Sequence, residues 1–380
     1  MDAVSVEPAQ VFAYRALRHD LDSQGAEPET LGALETGLQD TPPGSALLAV
    51  RARTGVDDPE RLRAALWPAG PLVLLWSVRG AAHLHHEDDL GLLAAGLRPA
   101  GHADAMGRLL AYGTELEAAG IEPDDAVDTI AGHMREIVTG PTPKGDLSGQ
   151  VAGHLPRVLA PWCEGCGVFH PQDQIFRLAA VRAGLVIDPG AKGVVFRPFG
   201  GPVAEVEPDE ARRELVRRLV RRLGPTAPAG LADWIGSRPG PVRALWDLVA
   251  DELVPVKAGG RKAWILEADL DALRTAPEPE RVRLLPPGDV LLRGWDKKLL
   301  VPEQALRSKV WKPAGAPGVV LARGEVAGIW RPRANGARLT ITVIAFRRLS
   351  ASERAEAGRE AAAIGAVRGA KDVTVVHEDA

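Results

Sequence analysis

Cysteine, lysine and tyrosine are scarce in this chain, and long apolar runs are missing. Two cysteines, Cys163 and Cys166, among 380 residues cannot build a disulfide framework, which excludes the stapled secreted scaffolds and fits a reducing compartment. No segment approaches the roughly 18 uncharged apolar residues that a membrane span needs, so no membrane partner is expected. The opening residues, MDAVSVEPAQ, are acidic where a secretory or mitochondrial leader would be basic. The expected address is the cytoplasm. The chain also lacks GxxxxGK[ST], HExxH and GxSxG, so phosphate-loop hydrolysis, zincin proteolysis and α/β-hydrolase chemistry have no carrier.

What is present is globular: 46% hydrophobic and 25% charged residues, in a chain long enough for two to four compact units. The net charge of -4 argues against a uniformly basic nucleic-acid binder, because phosphate neutralisation dominates that affinity; a local basic surface remains compatible with it. Of the 46 basic residues nine are lysine and 37 arginine. With abundant Ala, Gly and Pro, this reads as GC-rich bacterial coding, and arginine number alone says little about function.

Along the chain, short helical patterns precede pairs of strands three times. Residues 1–100 end in the apolar run 72–76, a turn at Arg79-Gly80 and a second strand over 81–85. In 101–205, helices precede strands at 185–187 and 194–196, joined through Asp188-Pro189-Gly190. In 206–278, an arginine-rich helix and a helix carrying Val242, Leu245, Trp246 and Val249 precede a hairpin turning at Ala258-Gly259-Gly260. Helices followed by a strand pair is the winged-helix order. Short apolar stretches separated by Pro and Gly over 279–349 predict a small β-barrel, and 350–380 predict a terminal helix, capped by Ser350 or Ser352, and a tail. The expected fold is therefore α+β: three tandem winged-helix units, a small C-terminal β-barrel and a terminal helix.

Four segments carry a resemblance: GLQDTPPGSALLAVRAR (37–53), WSVRGAAHLHHEDD (76–89), RLLPPGDVLLRGWDKKLLVP (283–302) and PGVVLARGEVAGIWRPR (317–333). On these the chain resembles the bacterial winged-helix DNA-binding family that includes the DNA glycosylases that unhook interstrand crosslinks. The resemblance implies tandem winged helices and a barrel cupping double-stranded DNA, with cleavage of the N-glycosidic bond of alkylated bases by a signature of Gln, an aliphatic residue, then Gln or Asp. Two polar groups at i and i+2 of an extended segment face one side, where they can hold a water near the sugar and stabilise developing positive charge.

Here the signature reads Gln39-Asp40-Thr41. Thr41 offers a short hydroxyl, and Asp40 replaces the aliphatic residue, pointing away from Gln39 in an extended chain. The alternative is a polar connector whose side chains satisfy nearby backbone. The expected function is a DNA-binding protein on a glycosylase scaffold with reduced or no base excision. An active monofunctional DNA N-glycosylase acting on alkylated or crosslinked bases is the alternative, and a regulator that binds protein or small molecules is a third reading.

For DNA contact the candidates are Arg79 and His83 at the first hairpin, Gln174 and Arg177 on the second unit's recognition helix, Arg217 and Arg221 in a helical i,i+4 stripe, Arg261 and Lys262 on the third hairpin, and Lys297 and Arg331 in the C-terminal module. The ordinary reading of each is a solvated or core residue. Cys163, Cys166, His170 and the upstream His154 have ligand types that suit zinc; the single CxxC is also compatible with a plain turn, and no cofactor is otherwise expected. The chain is expected to be monomeric.

Overall fold

Helices begin where a proline or a capping side chain meets an apolar period. Proline opens the helices Pro8–Arg18, Pro59–Ala64 and Pro123–Ile137, a position that needs no amide partner. Ser350 and Glu353 form a reciprocal capping box at the start of Ala351–Val367. The computed structural model describes residues 4–22, 25–293 and 296–379. Gly294 and Trp295 of the segment 283–302, and the last residue of the expected tail, lie outside the described residues. Two compact units emerge, one from Met1–Ala65, Arg218–Gly230 and Glu252–Ala380, the other from Leu66–Arg217 and Leu231–Asp251.

In the second unit the hairpin Leu72–Trp76 with Ala82–His86 continues through Leu185–Ile187 and Val195–Pro198 to Thr142–Pro143, every neighbour antiparallel. Two hairpins far apart in sequence thus share one sheet. Its core gathers Trp76, Ile130, Met134, Val151, Phe176 and Phe196, with Trp76 edge-on to both phenylalanines. Helices followed by hairpins in this arrangement are consistent with tandem winged-helix units.

In the first unit Val4–Val6 runs parallel to Leu253–Ala258, which pairs antiparallel with Arg261–Leu266. A second sheet has the order Val282–Leu285, Gly318–Ala322, Glu325–Asn335, Arg338–Ala345 and Asp372–Asp379, antiparallel except for the last pair. The segment expected to form a β-barrel does not form one: among the described residues no sheet closes. Closure would require the outer edge of Val282–Leu285 to meet another strand. Instead the amides of Val282 and Leu284 donate to Glu356 Oε2 at 2.8 Å and Glu360 Oε2 at 3.2 Å, both on the helix Ala351–Val367. A helix, not a strand, satisfies that edge, and it is also the crossover that lets Asp372–Asp379 join in parallel. No described helix is long and apolar enough to cross a membrane.

Candidate active site and nucleic-acid interface

The short strand Leu38–Gln39 follows Gly37, whose φ of 83° turns the chain out of a 3-10 helix. Leu38 is buried and Gln39 half-buried. Gln39 Oε1 accepts a hydrogen bond of 2.8 Å from Arg293 Nη2. The same amide packs on Gly288, where an added Cβ would lie 3.2 Å from it. The space beside Gln39 is therefore set by the turn 286–293, inside the segment quoted for the resemblance.

Asp40 turns elsewhere. Its carboxylate accepts from the Ala46 amide at 2.9 Å, near the start of the helix Ser45–Thr54. Burial pushes this carboxyl up, while the amides of Ala46, Gly44 and Ser45 pull it back in part. Thr41 is exposed in a bend after the strand has ended. Among the described residues, Gln39 alone of the three signature positions meets a cationic partner.

A buried ion pair anchors the turn beside Gln39. Arg53, near the end of Ser45–Thr54, makes two bonds of 2.8 Å to Asp289, both side chains fully buried. Asp289 also caps the short helix Val290–Leu292 by accepting from the Leu291 amide at 3.0 Å. Burial would raise this carboxyl, but Arg53 overrides it and holds Asp289 below the usual carboxylate range. Around the pair lie Arg15, bonded to Asp296 at 2.6 Å, and Arg222, which clasps Glu35 at 2.7 and 2.9 Å. His19 is wholly buried with its Nε2 3.0 Å from the Arg222 carbonyl; burial, with Arg53 adding to it, lowers its pKa to about 3. Sequence reading assigned no role to Arg293, Arg53, Asp289 or His19. The available signal was the pair of charged residues inside two quoted segments otherwise rich in Leu, Val and Ala.

The DNA-contact candidates fall into distinct settings. Arg79 has a left-handed backbone, φ 59°, in the turn of the first hairpin and donates to the Trp234 carbonyl at 2.7 Å. His83 is buried, its Nδ1 2.9 Å from the Ala81 carbonyl. Gln174 and Arg177 lie half-buried on the helix Asp173–Arg182; Arg177 sits over the Trp76 ring at 4.7 Å, and Lys144 over the same ring at 5.4 Å. Asp173 bonds both cations. The arginine stripe of Pro208–Leu223 is largely paired: Arg217 with Glu214 at 2.7 Å, Arg221 near Asp269 at 3.9 Å, Arg222 with Glu35. Arg331 reaches the Gly315 carbonyl at 3.1 Å.

Arg261 and Lys262 stand exposed at the hairpin turn. Arg261, Lys297, Lys298 and Arg307 line one open concavity of about 760 Å³ with Trp311, and Lys297 Nζ lies 5.6 Å from that indole. Arg261 is distant in sequence from the other three cations, and only folding makes them one basic surface.

The metal candidates divide. The ligand atoms of Cys163, Cys166 and His170 lie within 4.8 Å of one another, whereas His154 stacks on His133 with ring centroids 5.1 Å apart. His170 draws the Cys163 thiol down, aided by the Cys166 amide and thiol and the Gly165 amide.

The family described as "AlkZ-like: DNA glycosylase AlkZ-like" matches residues 33–367. A protein of Streptomyces sahachiroi named "Interstrand DNA cross-link repair glycosylase" is 26% identical over 351 residues, spanning 84% of this chain and 86% of that protein. The solved structure titled "Streptomyces sahachiroi DNA glycosylase AlkZ" matches with a TM-score of 0.75 at 22% identity, over 98% of this chain and 100% of that one.

Proposed function

The chain belongs to the AlkZ-like DNA glycosylase family, and on that premise we propose that it binds damaged duplex DNA and hydrolyses the N-glycosidic bond of an alkylated or crosslinked base, with Gln39 as the side chain nearest the reacting sugar. The observation that carries this reading is the Gln39–Arg293 hydrogen bond of 2.8 Å beside Gly288. An amide oxygen has two acceptor positions. Arg293 donates to that oxygen and fixes the orientation of the amide, so that Gln39 is already placed to hold the attacking water at the sugar; a preorganised polar group needs no reorganisation at that moment. Arg293 acts through Gln39 and is a positioning residue. Asp40, engaged at a helix start, is left out of the chemistry.

Duplex binding is supported by the basic concavity of Arg261, Lys297, Lys298 and Arg307, whose charge persists on a chain acidic overall. Lys262 and Arg331 extend the same chemistry to phosphate oxygens. The family match over 33–367 favours retained excision over a scaffold that has lost it. One observation favours reduced excision: Thr41 is short and exposed, and no second amide or carboxylate joins Gln39 from the signature.

The test is incubation of the purified chain with duplex carrying 7-methylguanine or an interstrand crosslink, followed by alkaline cleavage at abasic sites. Excision is expected, and Gln39→Ala should lower its rate by about 10²–10³, the usual cost of removing one preorganised polar group. Duplex binding with no abasic product from the unaltered chain would instead establish the reduced-excision reading, and undiminished excision by Gln39→Ala would remove Gln39 from the mechanism.

A further inference from the structure

The sequence CEGC, followed after three intervening residues by His170, sits on a short hairpin. Trp162–Cys163 and Val168–Phe169 are strands of two residues each, and a hairpin so short is at best marginal in water. Its apolar side chains are poorly covered: Trp162 is 48% exposed, Val168 50% and Phe169 40%. Its ring contacts are Trp162 edge-on to Phe169 at 5.1 Å and Arg157 over Phe169 at 3.8 Å. None of these residues belongs to the core of the unit that carries them.

Within this turn the backbone already has the shape of a metal knuckle. The amides of Cys166 and Gly167 both donate to the Cys163 carbonyl, at 3.2 and 2.8 Å, and Gly167 takes φ +66° to close the reversal. The two sulfurs and a ring nitrogen of His170 consequently converge within 4.8 Å. Around a tetrahedral ion with metal–sulfur bonds near 2.3 Å, two sulfurs stand about 3.8 Å apart, a separation that small side-chain rotations reach from this arrangement. His170 Nδ1 lies 2.7 Å from the Pro171 carbonyl. As donor in that bond it leaves Nε2 as the ligand nitrogen, and a carbonyl behind the ring is the usual way a metal-binding histidine is oriented.

We propose that Cys163, Cys166 and His170 bind one zinc ion, with a solvent molecule in the fourth position, and that the ion staples the hairpin 162–169 to the start of the helix Asp173–Arg182. Soft thiolates and an imidazole in a four-coordinate shell select zinc over calcium or magnesium. Coordination displaces the thiol protons to solvent and closes the loop from Cys163 to His170, three residues before the helix begins. The helix so anchored carries Gln174 and Arg177, so the metal's role is to hold that helix's entry rather than to cut a bond. The inference stands apart from the excision chemistry at Gln39.

The full chain, reduced and stripped of metal, is titrated with cobalt(II) and then zinc. Cobalt is expected to bind at about one equivalent with tetrahedral d–d bands and a thiolate-to-cobalt charge-transfer band, all displaced by zinc. Zinc should slow amide exchange across 162–169 by about tenfold or more relative to the stripped chain. C163S/C166S should lose the charge-transfer band, and H170A should weaken it and shift the d–d bands. Absence of the charge-transfer band in the unaltered chain overturns the proposal without recourse to any variant. So does an equal cobalt spectrum in a folded C163S/C166S chain, or zinc binding that leaves exchange across 162–169 unchanged.

Discussion

Replacing Asp289 with alanine should damage stability, and with it the excision proposed for Gln39, although the residue is sealed from solvent. The pair it forms with Arg53 has no exposed surface on either side chain and two bonds of 2.8 Å. Arg53 also donates to the Ala49 carbonyl at 3.0 Å, a neutral partner, so Asp289→Ala strands a guanidinium in the interior, a change that costs about 3–5 kcal/mol. Replacing both residues by apolar ones of similar bulk, Arg53→Met with Asp289→Leu, removes the stranded charge as well as its partner. The double variant should therefore lose less than the sum of the two single losses, with a coupling of about 2–3 kcal/mol. Urea unfolding of the wild-type chain and the three variants measures this cycle. Asp289 also caps Val290–Leu292, the turn between Gly288 and Arg293, so each variant lacking the carboxylate should excise more slowly while binding duplex normally. Single losses below about 1 kcal/mol, or losses that simply add in the double variant, would refute the view that this pair is one unit holding the turn.

Two further outcomes follow from buried charge in the same unit. His19, lowered to about 3 by burial and by Arg53, is neutral in the fold, whereas the unfolded chain protonates it near 6.5; its contribution is intact above that value and is lost as pH falls toward 3, amounting to about 2 kcal/mol between pH 6.5 and 5. Urea midpoints over that range should fall more steeply for the wild-type chain than for His19→Gln, and parallel curves would exclude His19 as the source. At the sheet edge, Glu360→Ala removes the acceptor of the Leu284 amide, one of the two carboxylates on Arg51, which keeps Asp57 at 2.8 Å, and the carboxylate 3.5 Å from Arg283, at a cost of about 3 kcal/mol, the lower end for breaking a buried pair. Glu356→Ala, which leaves the Val282 amide and the mostly exposed Arg359 without this carboxylate, should cost about 1 kcal/mol. Thermal melts showing the reverse order would contradict the role given to Glu360.

Much of the architecture was legible because local rules and the fold agreed. The run Leu72–Trp76, the turn at Gly259-Gly260 and the cap at Ser350 each follow from side-chain period or turn chemistry within a few residues. The barrel expectation failed for the opposite reason. Alternating apolar residues at 279–349 specify strands, but whether a sheet closes depends on what meets its edge, and here Glu356 and Glu360 arrive from more than seventy residues downstream. Nothing in the period of Arg283 or Leu284 encodes that meeting.

The candidate site divides along the same line. Gln39 is readable as a motif, yet its partner Arg293 lies 254 residues away, on a turn held by a pair, Arg53 and Asp289, whose own members are 236 residues apart. A short signature names Gln39, while the groups that hold its surroundings are charged residues scattered through apolar segments, where their burial costs free energy unless each finds a partner. That cost is itself a usable signal. An arginine such as Arg53 within SALLAVRART, or an aspartate such as Asp289 before VLLR, has to be paired if those helices are buried. Two such residues, one in each of the segments 37–53 and 283–302, are the first pair to join. Joining them places Gly288 and Arg293 beside Gln39, so the requirement that buried charge be neutralised leads from isolated motifs to the geometry of the site.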